Sequence, residues 1–126
     1  MRVLIVDDSR AMRIMLGRYL KELGFECSDA GDGKEALAQL AQLAQGALPD
    51  LMLCDWNMPE MNGFELLQAV RAESKYAGIR IVMATTETES SNVAKALGAG
   101  ANEYLMKPFT KDSLQAKLEL IGLVSA

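Results

Sequence analysis

Three uninterrupted apolar runs, Val3-Leu4-Ile5-Val6, Leu51-Met52-Leu53-Cys54 and Ile81-Val82-Met83-Ala84, constrain the fold more than any other feature of the chain. A strand with one wet face alternates apolar and polar side chains. A run of four without alternation suits a strand covered on both faces, as in a parallel sheet between two layers of helices. Weaker strand candidates are Phe25-Glu26-Cys27-Ser28 and Glu103-Tyr104-Leu105-Met106. Between the runs, apolar residues recur at helical spacing: Met12, Leu16, Leu20 and Leu23; Leu37, Leu40 and Ala44; Phe64, Leu67 and Val70; Val93, Ala94 and Leu97; Leu114, Leu118 and Ile121. Punctuation agrees with that reading. Ser9 is placed to cap the first helix and Gly24 to stop it. Gly31-Asp32-Gly33 opens the second, which Gly46 and Pro49 close. Pro59 and Gly63 mark the third, Gly98 and Gly100 end the fourth, and Thr110 or Asp112 caps the fifth. Five strand–helix repeats predict an α/β domain, a doubly wound (βα)5 parallel sheet with helices on both faces and right-handed crossovers. The 126 residues fit one domain with one core, residues 1–126, and no linker, repeat or low-complexity stretch divides them.

Composition removes several classes of function. Thirteen basic residues against 17 acidic ones leave a net charge of −4, which argues against gripping nucleic acid by bulk charge. The first apolar run is too short for a secretory signal or a membrane span, so a cytoplasmic protein without membrane insertion is expected. The two cysteines, Cys27 and Cys54, lie in strand-like segments without a metal-type spacing and are expected to be free, buried thiols. There is no histidine. That excludes Ser-His-Asp and Cys-His catalysis and His-ligated zinc; any phosphohistidine in this protein's chemistry must come from another molecule.

The strands end in chemistry. Asp7-Asp8 follows the first run, Asp55 the third strand, Thr85 the fourth, and Lys107 the fifth. Singly, each has an ordinary explanation: the first two as helix caps, Asp55 as a turn residue, Thr85 as a hydroxyl turn, Lys107 as a solvated cation. Jointly they place five polar residues at the carboxyl ends of four strands, where open α/β sheets bind ligands. Three clustered carboxylates repel one another and call for a hard cation. Mg²⁺ takes oxygen ligands and keeps several waters. Asp8 and Asp55 are the best carboxylate ligands, Asp7 acts through a water, and the backbone carbonyl of Asn57 can add a ligand. With charge so neutralised, Asp55 can act as a nucleophile toward phosphorus, while Lys107 and the Thr85 hydroxyl face the remaining phosphoryl oxygens.

At this point the motifs are recognisable. The pieces that carry a match running over nearly the whole length are Val6-Asp7-Asp8-Ser9, Ala30-Gly31-Asp32-Gly33-Lys34-Glu35-Ala36-Leu37, Asp55-Trp56-Asn57-Met58-Pro59-Glu60-Met61-Asn62-Gly63, Gly98-Ala99-Gly100-Ala101 and Tyr104-Leu105-Met106-Lys107-Pro108-Phe109. The chain resembles the receiver domains of two-component response regulators, and among them the single-domain chemotaxis regulators. The resemblance implies a flavodoxin-like sheet of strand order 2-1-3-4-5, for which this family is itself a standing example. It implies that Asp55 accepts a phosphoryl group from a histidine kinase and that Asp7 and Asp8 organise Mg²⁺ with the Asn57 carbonyl. Lys107 would contact the phosphoryl group, Thr85 would move toward it, and Tyr104 would swing inward behind. A downstream protein target would then read the surface made by the fourth helix, fifth strand and fifth helix. The Lys107–Pro108 bond is cis in the family.

Three places depart from the chemotaxis pattern. Thr86 stands where those regulators carry alanine, Glu89-Ser90 replaces a pair of lysines on the expected partner surface, and the second-helix region from Lys34 to Leu48 is longer, with material for an extra turn. Other readings are a phosphorelay intermediate, a receiver belonging to a larger regulator, a partner-binding receiver without phosphorylation, and an Asp-nucleophile phosphohydrolase like the haloacid dehalogenases. The last wants Asp-x-Asp after the first strand, whereas Asp7 and Asp8 are adjacent.

Overall fold

A computed structural model of the chain describes residues 1–43, 45–86 and 90–124. Within them, five strands alternate with five α-helices: β1 (Arg2–Val6), α1 (Arg10–Glu22), β2 (Glu26–Ala30), α2 (Gly33–Gln42), β3 (Leu51–Asp55), α3 (Gly63–Arg71), β4 (Arg80–Thr85), α4 (Ser90–Gly98), β5 (Glu103–Met106) and α5 (Lys111–Leu120). All pairings are parallel and the order is β2-β1-β3-β4-β5. The order expected from the resemblance is the one found.

Side-chain alternation along the central strands builds two cores. Leu4, Val6, Met52, Cys54, Ile81 and Met83 face one way, onto Leu40 of α2, Leu66, Leu67 and Val70 of α3, and Ala96 of α4. Val3, Ile5, Leu51, Leu53 and Val82 face the other way, onto Leu16 and Leu20 of α1 and Leu114 and Leu118 of α5. Every residue of β3 is buried, which is why its sequence shows no alternation. No helix among the described residues is long and apolar enough to cross a membrane.

The caps follow the expected chemistry. Ser9, Asp32, Asn62 and Thr110 accept backbone N–H groups at the starts of α1, α2, α3 and α5, so Thr110 rather than Asp112 caps the last helix. Gly24 and Gly100 take positive φ angles of 96° and 110°, the region a side chain disfavours. Two boundaries differ from expectation. The β2 strand starts after Phe25 and runs on to Ala30, because an edge strand tolerates Ser28 and Asp29 where a central one would not. Helix α2 stops at Gln42 instead of running toward Gly46: Leu43 turns extended, a short 3-10 turn follows at Gln45–Ala47, and the chain drops to pack Leu48 on the core. The extra turn expected there does not form as α-helix, and Ala44 lies outside the described residues. Both cysteines are free; Cys54 is buried as expected, whereas Cys27 on the edge strand is only partly so.

One glycine is required by close approach. A Cβ on Gly63 would sit 2.2 Å from the Asp55 carbonyl oxygen and 2.9 Å from the Trp56 Cα, while the Gly63 N–H donates to the Trp56 carbonyl at 2.9 Å. Gly17, inside α1, has nothing within 4 Å of its would-be Cβ. In urea titrations Gly63→Ala is therefore expected to lose stability, by about 1–3 kcal/mol from overpacking against backbone. Gly17→Ala is expected to gain about 0.5–1 kcal/mol from reduced backbone entropy. Equal effects from the two would show that the turn after β3 yields without cost.

Candidate functional site

Parallel register places the ends of β1, β3 and β4 side by side. Val6 pairs with Cys54, and Asp55 pairs with Ala84. One residue further, the chain must leave the sheet, and the leaving residues are Asp7 on β1 and, beyond Thr85, the loop after β4. The Asp7 amide donates to the Ala30 carbonyl, Trp56 to the Ala84 carbonyl, and Lys107 to the Thr85 carbonyl, at 3.2, 2.9 and 2.8 Å. These bonds carry the sheet's hydrogen bonding one step into the loops and fix where the functional side chains start.

Asp7 and Asp55 are buried and Asp8 is exposed beside them. One carboxylate oxygen from each of the three lies within 4.8 Å of the others. The Lys107 ammonium reaches over from the end of β5, 3.1 Å from Asp7 Oδ2 and 3.0 Å from Asp55 Oδ1. Ser9, not either aspartate, caps α1. Asp7 instead accepts the Ser9 amide on Oδ1 at 2.8 Å, which fixes its carboxylate. The Asn57 amide approaches Asp55 Oδ1 at 3.4 Å. Thr85 is buried at the end of β4 and Thr86 after it is exposed. The Lys107–Pro108 bond is cis. Tyr104, half-buried on β5, lies beside Met83 in the register. Of the residues singled out in the sequence, Asp7, Asp8, Asp55 and Lys107 form one cluster, with Thr85 and Asn57 on the adjoining backbone. Glu89 and the Ser90 side chain lie outside the described residues.

The electrostatics follow from burial. Burial pushes the Asp55 carboxyl above its ordinary range, and the Asp7 charge adds to that, against the pull of Lys107. Burial opposes the Lys107 ammonium, but Asp55 and Asp7 outweigh it and raise its pKa. Burial also holds the Cys54 thiol far above the usual thiol range, so it is not a nucleophile. Three hard oxygen donors, two of them buried, form a donor set that fits a small divalent cation.

Some contributors escaped the sequence reading. Arg13 donates from Nη1 to the Asp7 carbonyl at 2.6 Å and pairs through Nε with Asp29 at 2.8 Å, tying the Asp7–Asp8 loop to the edge strand. No local feature of the sequence marks Arg13 for this pairing. Trp56 stacks on Phe64 with ring centroids 5.5 Å apart, and the Lys95 ammonium lies 4.5 Å from the Phe64 centroid.

A carboxyl with a raised folded pKa binds its proton more tightly in the native than in the unfolded state. Stability then falls as pH rises from the ordinary carboxyl value, about 3.9, through the raised one, and the penalty persists above it. Asp55→Asn is therefore expected to be more stable than the parent chain at pH 7 in chelator, with the advantage shrinking as pH falls to about 4. Paired urea titrations at the two pH values check this; a variant less stable at pH 7 would mean that the Lys107 pairing outweighs burial.

The family model described as "Response regulator receiver domain" matches residues 3–119. Chemotaxis protein CheY1 of Helicobacter pylori is 40% identical over 121 residues, 96% of each chain. A chemotaxis protein CheY homolog of Campylobacter jejuni is 42% identical over 119 residues, 94% of this chain and 90% of that one. The solved structure of chemotaxis response regulator CheY4 of Vibrio cholerae superposes with a TM-score of 0.85 at 41% identity, covering 95% of this chain and 97% of that one. The chain belongs to the response regulator receiver domains of two-component signalling.

Proposed function

We propose that the protein takes a phosphoryl group onto Asp55 from the phosphohistidine of a partner histidine kinase, in a Mg²⁺-dependent transfer, and so switches its affinity for a downstream target. The observation that supports this reading is the convergence of Asp7, Asp8 and Asp55 with the Lys107 ammonium lying between two of them. Asp8, Asp55 and the Asn57 carbonyl are the groups that would hold the cation, with Asp7 reaching it through water. When bound, Mg²⁺ neutralises the carboxylates and the phosphoryl oxygens.

The Asp55 carboxylate attacks phosphorus, the donor P–N bond breaks with its electron pair passing to the imidazole, and an acyl phosphate forms. Lys107 exchanges part of its pairing with Asp55 for the charge spread over the phosphoryl oxygens. The Thr85 hydroxyl donates to another of those oxygens. Attack of water on the acyl phosphate returns the carboxylate and releases inorganic phosphate, so the only reactions catalysed are the protein's own phosphorylation and dephosphorylation. Drawing Thr85 toward the phosphoryl group frees space for Tyr104 to turn inward, and the surface formed by α4, β5 and α5 changes shape. This is a population shift that the added negative charge biases.

One receiver domain, residues 1–126, acting in the cytoplasm without nucleic-acid binding, accounts for the features described. The relatives named as chemotaxis proteins and the Asp55-Trp56-Asn57-Met58-Pro59 segment support a chemotaxis target. Glu89-Ser90, in place of the lysine pair expected at the partner surface, favours a different target, as in a phosphorelay intermediate or a larger regulator. Turnover of p-nitrophenyl phosphate well beyond one equivalent would favour a phosphohydrolase instead.

Incubation with Mg²⁺ and acetyl phosphate is expected to give an acid-labile, hydroxylamine-sensitive adduct that Asp55→Asn abolishes; undiminished label in that variant would place the nucleophile elsewhere. Trp56 adjoins Asp55, and its fluorescence is expected to respond to Mg²⁺ and then to beryllofluoride. Lys107→Ala leaves two buried carboxylates without their cation, which costs about 3–5 kcal/mol where a buried pair is broken. The variant is expected to keep Mg²⁺ binding, to regain part of the lost stability when Mg²⁺ is added, and to lose the beryllofluoride-induced change. A normal change would remove Lys107 from the switch.

A further inference from the structure

Helix α5 lays Lys117 against the one aromatic residue of β5. The Lys117 ammonium is 4.3 Å from the Tyr104 ring centroid, well inside the roughly 6 Å over which a ring face attracts a cation. The same ammonium lies 3.4 Å from Glu103 Oε1. That oxygen also accepts the Tyr104 backbone N–H at 2.9 Å. The Lys117 and Glu103 side chains are only 26% and 19% exposed, so both charges are partly withdrawn from water, where such contacts gain strength. The carboxylate is anchored on the backbone of Tyr104, the ammonium on the carboxylate, and the ring beneath the ammonium. The attraction depends on the cation facing the ring, so it belongs to this position of Tyr104 and is lost when the ring turns away.

We propose that Glu103 and Lys117 form a clamp that holds Tyr104 in its present position and thereby sets the threshold at which the Asp55 site switches the chain. The inference rests on the switching role of Thr85 and Tyr104 given above and adds to it two positioning residues that act through the ring. In a two-position equilibrium, the apparent affinity for a phosphoryl mimic falls by the fraction of molecules held in the non-binding position. Removing the clamp raises the competent fraction. A cation–ring contact of this exposure shifts such an equilibrium about two- to fivefold. The sign separates the clamp from bulk electrostatics, because deleting a positive charge would by itself weaken binding of an anion.

The test compares the parent chain with Lys117→Met, which keeps an apolar stem, Lys117→Arg, which keeps a cation, and Glu103→Gln, which loosens the anchor. Beryllofluoride is titrated in saturating Mg²⁺ with Trp56 fluorescence as the readout, and the Tyr104 ring resonances are recorded by NMR without Mg²⁺ or beryllofluoride. Lys117→Met is expected to tighten the beryllofluoride midpoint about two- to fivefold and to shift the Tyr104 ring signals. Glu103→Gln moves both in the same direction by less, and Lys117→Arg restores parental values. A midpoint that weakens or stays put in Lys117→Met, with a normal response in the parent chain, overturns the clamp alone. A parent chain that does not respond to beryllofluoride at all overturns the phosphoacceptor reading and the clamp's role with it.

Discussion

Two carboxylates buried side by side are the constraint around which the rest of this structure is arranged. The register of β1 with β3 brings Asp7 and Asp55 to the same rim, where neither can shed its charge into water. Lys107 is the counter-charge the chain itself provides, within 3.1 Å of both. Its backbone is held on the Thr85 carbonyl, so the end of β4 and the end of β5 both have to be in place for the ammonium to arrive. One cation for two buried anions, with a third carboxylate at the mouth, is an arrangement short of positive charge. Burial first, and the neighbouring Asp7 charge second, raise the Asp55 carboxyl above its ordinary range in spite of Lys107. A site of this kind is poised to gain from a divalent cation, and it is equally poised to register a change in charge on Asp55.

The surrounding fold keeps that shortage from being relieved by movement. The Asp7 carbonyl is gripped by Arg13 and its carboxylate by the Ser9 amide. On the other side, Gly63 packs against the backbone of Asp55 and Trp56 so closely that no side chain fits between them. The loop after β3 is thus pressed on the strand it leaves. Asn62 and Glu65 close a capping box that starts α3 immediately afterwards. Chain segments that would otherwise fluctuate are bound to rigid elements, which is what a charged site needs if its geometry is to be the same before and after it binds an ion.

Much of this was legible in the sequence because the relevant signals are local. Four-residue apolar runs mark β1, β3 and β4, and the first charged or hydroxyl residue after each run marks the rim, so Asp7, Asp55 and Thr85 could be located without coordinates. Lys107 and Tyr104 were legible only with the weaker β5 run beside them. The edges were less readable. The β2 strand mixes polar residues into its length because one of its sides has no neighbour, and its start was misplaced. The end of α2 was misplaced because Ala, Gln and Leu continue a helical pattern through a stretch where the need to seat Leu48 decides the path. Contacts between elements were not legible at all. Nothing near Asp7 in sequence points to Arg13 pairing with Asp29, and nothing in α5 distinguishes Lys117 from its other lysine until β5 is packed against it.

The same distinction bears on how charge at the rim can reach a surface. Thr85 and Met106 are partners across β4 and β5, as are Met83 and Tyr104. Along one strand, alternate residues share a face, so Thr85 and Met83 stand in the same relation on β4 as Met106 and Tyr104 do on β5. The register thus sets Thr85 and Tyr104 two residues apart along adjoining strands, the spacing that the proposed switch has to bridge. What it can move there is limited by what holds Tyr104 in place, and of the four β5 residues only Leu105 is buried, on the face toward α1 and α5. The contact with Lys117 is of another kind: a single, partly buried cation–ring contact is worth on the order of 1 kcal/mol, a small fraction of the stability of a domain. A phosphoryl group, bringing close to two negative charges, acts on a scale that a contact of that size can oppose without blocking. The rigid elements define the two ends of the path, and a weak, tunable contact decides how readily the path is taken.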